Sequence, residues 1–306
     1  MTGELYSSLV PTGTEIVTRV VTNDHPSGSV GVITASPADN THSYQIRLVD
    51  GAEVSLRREE FAILKHFQRH GIDEPGAVLA EYDLYDGVIY RCVVGSRAYG
   101  LGGDESDTDR RGIYLPPADL HWSLYGVPEQ LENKETDEVY WELRKFLILA
   151  LKANPNILEC LYTPIVEMAT PLAQELLDMR KVFLSKLVYQ TYNGYVISQF
   201  KKLEQDLRTR GEIRWKHAMH LIRLLLSGIT ALRKCYVPVS VEEYRDQLLA
   251  IRRGDVPWEE IDAWRLDLHK QFDEIYEETS LPDRPDYARA NAFLIKARKM
   301  RAMENR

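Results

Sequence analysis

The sequence lacks the features of secreted, disulfide-stabilised and membrane-spanning proteins. Its 306 residues include three cysteines, scattered and odd in number, at Cys92, Cys160 and Cys235. This spacing forms neither a disulfide framework nor a zinc site and is typical of a reducing compartment. No apolar run approaches the roughly 20 residues of a membrane span, and the N-terminal stretch MTGELYSSLV has no basic flank before an apolar core, as a signal peptide would. We therefore predict a cytoplasmic protein without a membrane contact.

An overall positive charge is also absent. The formal net charge is −8 at pH 7, which argues against a surface covered by nucleic acid. The charge is nevertheless uneven, because the stretch Arg180–Lys234, here called the basic band, holds twelve Lys or Arg residues against three acids, an excess of nine. This band would attract a polyanion, or it is a solvated helix face whose acidic partners lie on neighbouring elements. The sequence supports both interpretations equally.

Residues 1–66 are predicted to form a separate small β-domain. Four short runs rich in Val, Ile, Thr and Tyr alternate with turn-forming residues, and Asp50-Gly51 between two of them is a hairpin signal. Short strands at close spacing favour a small barrel, and their order resembles SH3-like or KOW-type barrels. With eight acids against five Lys or Arg, electrostatics does not favour nucleic acid here, and we expect the barrel to contact a protein or another domain. Phe61–His70 is predicted to be a short linking helix.

The remaining sequence is predicted to be α+β in the centre and helical towards the C-terminus. Strands are indicated by GVIYRCVV, DTDRRGIYL and DEVYWEL, with a looser loop before the third, to about Lys134. The following RKFLILALKANPNILECLYTP indicates helices broken at Asn154-Pro155-Asn156, with Asn156 as the candidate N-cap. From Pro171 onward, apolar residues recur every three or four positions. We therefore expect a core domain over residues 67–170 and a helical domain over residues 171–306.

The stretch Val93–Pro117 combines a phosphate-binding turn with a pair of carboxylates. An apolar strand ends at Gly95-Ser96, where glycine lets the backbone approach a phosphate, and the serine hydroxyl and neighbouring amides donate to its oxygens. Eleven residues after the serine, Asp107-Thr108-Asp109 places carboxylates at i and i+2, on one face of a strand. Paired carboxylates suit Mg²⁺, and two such ions can clamp the attacking and leaving oxygens of a displacement.

These motifs resemble those of the DNA polymerase β-like nucleotidyltransferase superfamily, and more closely those of the RlaP group, the RNA-ligase-associated nucleotidyltransferases. The matching segments, from about residue 85 to near the C-terminus, are GSRAYG, SDTDRRGIYLPP, DEVYWELRKFLILALKANPNILECLYTP, KHAMHLIRLLLSGI, IRRGDVPWEEID and LPDRPDY. The N-terminal barrel lies outside the resemblance, as an added module. The resemblance implies a nucleotidyltransferase core with a mixed sheet, Mg²⁺ or Mn²⁺ as cofactor and an NTP as substrate. It implies Asp107 and Asp109 as catalytic metal ligands and Gly95 and Ser96 as the nucleotide-binding turn.

The resemblance also implies a third metal-binding carboxylate, supplied by the strand DEVYWEL. Alignment to the family pattern selects Asp137. Strand alternation disagrees, because the apolar residues Val139 and Trp141 would share the face of Asp137, whereas Glu138 and Glu142 would lie on the opposite, more polar face. We predict Asp137 as the third catalytic metal ligand, since alternation is least dependable at the end of a strand, and keep Glu138 and Glu142 as alternatives.

Further residues are candidates for nucleotide binding or for support of the site. Arg97 could pair with phosphate oxygens or form a surface salt bridge. Lys216 and His220, with Arg223 on the same helix, could line the cleft, or they flank a buried apolar helix face. Glu159 could orient a basic residue of the site or pair on its own helix. Aromatic residues of the basic band could stack on bases or belong to the core: Tyr189, Tyr192, Tyr195 and Trp215.

We predict a metal-dependent enzyme that transfers an NMP group from an NTP to an acceptor hydroxyl, with release of pyrophosphate. The name of the RlaP group and the basic band favour an RNA end as the acceptor, in RNA repair or end addition. Two alternatives remain open. The acceptor hydroxyl could belong to a protein or a small molecule, or the fold could serve as a non-catalytic nucleotide- or RNA-binding module.

Overall fold

The computed structural model describes residues 9–22, 25–39, 42–65, 79, 82–103, 107–211 and 213–304. Contacts divide the chain into two compact units, Met1–Tyr82 and Asp83–Arg306. No helix in these described ranges is both long enough and apolar enough to cross a lipid bilayer.

The first unit is a five-stranded antiparallel sheet with the strand order β4-β3-β2-β1-β5. Alternate residues of β3 and β4 are buried, and they form a small core with Ile16, Ile33 and Phe61. This sheet confirms the predicted small barrel-like domain. Its strands are β1 (Glu15–Thr18), β2 (Val30–Ala35), β3 (Tyr44–Leu48), β4 (Glu53–Leu56) and β5 (Phe61–Ile63).

The predicted linking helix over Phe61–His70 is wrong at its start. Phe61–Ile63 is strand β5, which pairs antiparallel with β1 and places Ala62 opposite Val17. The reason is packing, because Phe61 is fully buried and its ring meets the Tyr44 ring edge-on, with centroids 5.2 Å apart. Residues 66–70 of the predicted helix lie outside the described residues.

The second unit contains a mixed five-stranded sheet with the order β10-β6-β7-β9-β8. β6 and β7 are antiparallel, whereas β7 and β9 are parallel, so the predicted mixed sheet is confirmed. The two edge strands, β8 and β10, fall where no strand was expected, because both are short and carry mostly polar or exposed residues, as edge strands often do. The strands are β6 (Val88–Val94), β7 (Asp109–Tyr114), β8 (Gln130–Asn133), β9 (Glu138–Glu142) and β10 (Val166–Ala169).

Helices cover the sheet and continue towards the C-terminus, as predicted. The central one, α7 (Trp215–Lys234), packs against α6 (Leu187–Arg210), α8 (Arg245–Arg253) and α9 (Trp258–Glu278). One hydrophobic cluster runs from Tyr90 to Ala297 through both the sheet and the helices; the division at residue 170 stays a prediction. The helices are α1 (Gly95–Ala98), α2 (Ala118–Trp122), α3 (Leu143–Leu151), α4 (Pro155–Tyr162), α5 (Pro171–Asp178), α6 (Leu187–Arg210), α7 (Trp215–Lys234), α8 (Arg245–Arg253), α9 (Trp258–Glu278) and α10 (Tyr287–Glu304).

The break between α3 and α4 is capped by Asn154 and not by Asn156. The Asn154 side chain accepts from the backbone N–H groups of Asn156 and Ile157, at 3.0 and 3.3 Å. Pro155 explains the difference, since proline is favoured at the first helical position, where no N–H is needed, and the cap must then precede it.

Candidate active site

The Gly-Ser turn lies where strand β6 ends. Gly95 has a φ of +71°, in the left-handed region that glycine adopts without strain, and it begins the single helical turn α1. The Leu101 N–H donates to the Ser96 carbonyl at 2.9 Å, which closes the following loop onto the turn. A Cβ atom at Gly95 would overlap the Asp109 carboxylate. The carboxylate therefore approaches the backbone at a point where only glycine leaves room.

Gly95→Ala is expected to impair the site. The methyl group must displace the Asp109 carboxylate, and the left-handed backbone costs an L-residue about 1–2 kcal/mol. Misplacing a reacting group by ~1 Å can cost about a hundredfold in rate, and we expect a loss of nucleotidyl transfer of this order. Gly103→Ala is the matched control in the activity assay, since Gly103 lines the same cavity but a Cβ there would meet no atom of the described residues within 4 Å. Equal activity of the two variants would contradict the prediction.

Asp109 and Asp137 lie close together because the parallel strands β7 and β9 begin at the same end of the sheet. β7 begins at Asp109 and β9 at Glu138, with Arg110 opposite Glu138 in the register, so Asp109 and Asp137 lie side by side. Burial raises the pKa of Asp109 above its ordinary value, and a hydrogen bond shared with the Asp137 carboxyl group adds to the rise, although Arg111 opposes it. The two strand ends thus concentrate negative charge at one point.

The three candidates for the third carboxylate lie in different surroundings. Asp137 lines a cavity together with both aspartates of the Asp-x-Asp motif. Glu138 instead accepts a hydrogen bond from the Tyr140 hydroxyl at 2.7 Å. Glu142 is buried and caps α3, where it accepts from a backbone N–H. These positions favour Asp137, which stays a prediction as a ligand.

Strand alternation predicts the buried face of DEVYWEL wrongly. Tyr140 is fully buried and Glu142 nearly so, which makes their face of β9 the more buried one, although it was expected to be the more polar. Asp137 precedes the strand and has a φ of +50°. Its side chain therefore does not follow the alternation of β9.

The donor set of the site fits a hard divalent cation. No group of three or more His, Cys, Asp or Glu side chains is already gathered around a metal position within the described ranges. However, Asp107, Asp109 and Asp137 line one cavity, and carboxylate oxygens are the ligands that Mg²⁺ prefers. The Asp137 carboxyl group also helps to raise the pKa of Asp109, which indicates a repulsion between the two carboxylates that a bound cation would relieve. These three aspartates are the residues that would hold the ion.

Two helices complete the lining of the cavity, which has a volume of about 840 Å³. Cationic and apolar side chains of α7 and α8 thereby share one space with the carboxylates and the Gly-Ser turn. Such a mixture suits a metal-bound polyphosphate, whose negative charge needs cations on more than one side. The residues that these helices contribute are Lys216, Met219 and His220 from α7, and Leu249, Arg252 and Arg253 from α8.

Arg252 and Arg253 were not predicted as site residues, although they lie in IRRGDVPWEEID, a segment that carries part of the family resemblance. Arg252 donates to the Leu101 carbonyl at 3.1 Å, and Arg245 donates to the Gly100 carbonyl at 2.9 Å. Helix α8 therefore both lines the cavity and fastens the loop that follows the Gly-Ser turn. Only the tertiary contact reveals this role, because the loop and the helix are about 150 residues apart in the chain.

His220 is a neutral group of the cavity. Burial lowers its pKa to about 3, and the nearby charges of Arg223 and Lys216 add to the effect. Its ring lies edge-on to the Tyr99 ring, with centroids 6.5 Å apart. At neutral pH the imidazole is therefore a hydrogen-bonding group and not a cation.

His220→Gln is expected to make folding less sensitive to acid. The unfolded chain protonates this histidine near pH 6.5, whereas the folded protein keeps it neutral until about pH 3. The stability that the neutral histidine contributes is therefore fully present above pH 6.5 and is lost as the pH falls towards 3. Thermal melting over this range should give a shallower fall of Tm for the variant. Parallel wild-type and His220→Gln curves of Tm against pH would refute the expectation.

A buried ion pair is joined to the turn by Tyr99. Arg223 donates to the Glu159 carboxylate at 2.6 Å, and the two side chains are only 5% and 3% exposed. The Tyr99 hydroxyl donates to the same carboxylate at 2.7 Å, and the Arg223 guanidinium lies 3.8 Å from the centre of the Tyr99 ring. Tyr99 also lines the cavity. Of the two interpretations of Glu159, the structure supports the one in which it orients a basic residue on another helix.

Other predicted residues lie outside the cavity lining. Arg97 is exposed on α1, and within the described part of the basic band Lys216 is the lysine or arginine that lines the cavity. Elsewhere in the band, Lys186 pairs with Asp283 at 2.8 Å. The aromatic residues of the band belong to the hydrophobic cluster or pack against it: Tyr189, Tyr192, Tyr195 and Trp215.

The second unit has the arrangement of a polymerase β-like nucleotidyltransferase fold. A Gly-Ser turn follows strand β6, and carboxylates lie at the starts of the parallel strands β7 and β9. Residues 63–296 match the RlaP family, described as the RNA repair pathway DNA polymerase beta family. Since the match covers most of the chain, the protein belongs to this family.

A relative of this chain is a Bacillus subtilis (strain 168) protein that bears the name "Uncharacterized protein YcgL". The two are 29% identical over 159 residues, which are 51% of this chain and 60% of the relative. The aligned region therefore spans less than two thirds of the relative's length, and its name assigns no substrate.

Proposed function

We propose that this chain catalyses metal-dependent transfer of an NMP group from an NTP to an acceptor hydroxyl, with release of pyrophosphate. Family membership indicates the class of reaction. The observation that supports it most directly is one cavity that unites the Gly-Ser turn, three aspartates and three cationic side chains. A polyphosphate needs donors and cations, and a displacement at phosphorus needs metal-binding carboxylates beside them.

The residues of the cavity divide into three roles. Gly95 and Ser96 bind the phosphates through the turn, and Lys216, Arg252 and Arg253 balance their negative charge. Asp107, Asp109 and Asp137 would hold Mg²⁺ or Mn²⁺, which when bound would supply Lewis acidity for the displacement at phosphorus. Neutral His220 would donate a hydrogen bond to a ligand in the same cavity, or accept one from it.

For the acceptor we propose an RNA end. The support is the description of the family, which places it in RNA repair, together with the cationic side chains that reach the cavity from α7 and α8. The cytoplasmic location and a protein contact of the N-terminal barrel stay predictions.

The test incubates the full chain with each labelled NTP, Mg²⁺ or Mn²⁺, and RNA or DNA primers with a free 3′ hydroxyl. Extension of RNA by one or a few nucleotides is expected, and the control is the same mixture with a chelator. If label enters the protein itself or an added protein, the RNA acceptor is wrong but the transferase activity stands. If no acceptor is labelled and calorimetry detects no binding of NTP or metal, the proposed function is refuted.

A further inference from the structure

Arg111 lies beside the carboxylates and has no assigned role. It follows Asp109 by two residues on strand β7, so both side chains leave the same face of the sheet. One nitrogen of its guanidinium lies 3.2 Å from the Asp137 carboxylate and 3.5 Å from the Asp109 carboxylate. We propose that Arg111 is a positioning residue that holds Asp137 in the orientation in which it binds metal. This proposal rests on the proposed function, because it takes Asp137 as a ligand.

The same guanidinium also holds the backbone of Asp137. Its other terminal nitrogen donates to the Asp137 carbonyl at 2.7 Å and to the Arg110 carbonyl at 2.8 Å. The Arg110 N–H donates to the Asp137 carbonyl as well, at 3.1 Å. These contacts hold Asp137 in a left-handed conformation, with a φ of +50°, which Asp and Asn tolerate better than most residues other than glycine. Arginine suits the task because its planar fork reaches a carboxylate and a carbonyl at once.

Position and charge predict opposite effects of Arg111 on a bound cation. As a fixed positive charge, it would repel a divalent metal, and its removal would tighten binding. As a support for Asp137, its removal would let the ligand leave its orientation, and binding would weaken. We expect the loss of support for Asp137 to outweigh the loss of repulsion, so that metal binding weakens. The loss of residues that orient metal ligands typically weakens binding by about 10–100-fold. Two of the contacts of this guanidinium are to carbonyl oxygens, so it supports the backbone as well as the carboxylate.

Arg110 provides a matched comparison within the same strand. It is adjacent in sequence and also charged, but its side chain pairs with Glu167 at 2.9 Å and with Glu138 at 3.9 Å. A variant at Arg110 therefore removes one positive charge from β7 without removing contacts to the side chains of Asp109 and Asp137.

The experiment measures Mn²⁺ affinity by calorimetry on the full chain, for wild type, Arg111→Met, Arg111→Lys and Arg110→Met. Both Arg111 variants are expected to bind Mn²⁺ about tenfold more weakly, because lysine keeps the charge but not the fork. Arg110→Met should bind Mn²⁺ as wild type does, because the Arg110 side chain pairs with Glu167 and Glu138 and does not hold Asp137. Thermal melting checks that each variant is folded. Unchanged or tighter binding by Arg111→Met, or wild-type binding by Arg111→Lys, would overturn the proposal.

A double-mutant cycle tests whether Arg111 acts through Asp137. Asp137→Asn keeps a residue that tolerates the left-handed backbone but loses the ligand charge. In this background Arg111→Met should add little further loss of affinity; a second tenfold loss would mean that Arg111 acts elsewhere. A wild-type protein that binds no Mn²⁺ refutes the metal-dependent function itself. A wild type that binds Mn²⁺ and transfers nucleotide, with Arg111→Met equal to it, refutes only the role of Arg111.

Discussion

Asp109→Asn is expected to lower the rate of nucleotidyl transfer by about a thousandfold or more. Metal ions contribute several kcal/mol of transition-state stabilisation, and each ~1.4 kcal/mol is a factor of ten in rate. Asp109 occupies the centre of the proposed site, because its carboxylate meets the Gly95 backbone on one side and the Asp137 carboxyl group on the other. Asparagine keeps the shape of the side chain but removes the charge that would hold the metal.

Labelled-nucleotide transfer at saturating NTP and Mg²⁺ measures the effect. Asp137→Asn should cause a comparable loss, and Glu138→Gln should remain near wild type, since Glu138 bonds to Tyr140 instead of lining the cavity. If Glu138→Gln lost activity and Asp137→Asn kept it, Glu138 would be the third ligand. An active Asp109→Asn would contradict the assignment of Asp109.

A stability measurement without metal separates loss of catalysis from loss of folding. If Asp109→Asn is as stable as wild type, unfolding does not explain its loss of nucleotidyl transfer. The folded-state pKa of Asp109 is raised, first by burial. A carboxyl group of this kind contributes stability below its unfolded pKa, and this contribution is lost as the pH rises through the folded value. At pH 8, removing the charge should therefore leave Tm equal or higher. A lower Tm would point to a structural role.

Glu159→Gln is expected to be the most destabilising single substitution considered for this protein. Breaking a buried ion pair by removing one partner typically costs about 3–5 kcal/mol, because the other charge stays buried without compensation. Burial opposes the charge of Arg223, yet Glu159, Tyr99 and Tyr192 together outweigh this effect and raise the pKa of Arg223. An arginine guanidinium keeps its proton in proteins even when it is buried, so it cannot relieve the loss by releasing that proton. For a unit of this size, we expect Tm to fall by about 10 °C.

The double variant Glu159→Gln/Arg223→Met separates loss of the pair from loss of the glutamate. With both charges absent, much of the stability should return, because no charge is then left buried without a partner. Glu175→Gln is a surface control, since Glu175 pairs with Lys296 at an exposed position and exposed pairs contribute only about 0–1 kcal/mol. Equal melting temperatures of Glu159→Gln and Glu175→Gln would refute the importance of the buried pair.

The buried pair also connects stability to the site. The Tyr99 hydroxyl donates to Glu159, and the Arg223 guanidinium stacks over the Tyr99 ring. Tyr99 also lines the cavity, directly after the Gly-Ser turn. Loss of Glu159 should therefore affect the turn before the protein unfolds. Activity of Glu159→Gln measured well below its Tm should be reduced, whereas the activity of Glu175→Gln should not change.

Much of the fold followed from local patterns in the sequence. Runs such as GVIYRCVV and KHAMHLIRLLLSGI carry strand and helix signals that packing did not override. Where the patterns failed, the cause was a contact with a distant residue or an edge position. Phe61 became part of a strand because it packs on Tyr44, and β8 and β10 pair with the sheet at its edges, where short polar sequences carry a weak signal.

The sequence by itself determined the class of fold and the two local motifs, the Gly-Ser turn and the Asp-x-Asp pair, because each is set within a few residues. Only the tertiary structure decided what joins them. The parallel pairing of β7 and β9 brings Asp137 to Asp109, and packing of α8 on the loop after the turn brings Arg252 to the cavity. The packing of the helices also brings the Glu159 carboxylate to the Tyr99 hydroxyl and the Arg223 guanidinium, which both donate to it. These contacts depend on strand register and helix packing over long separations in the chain, which no local pattern specifies.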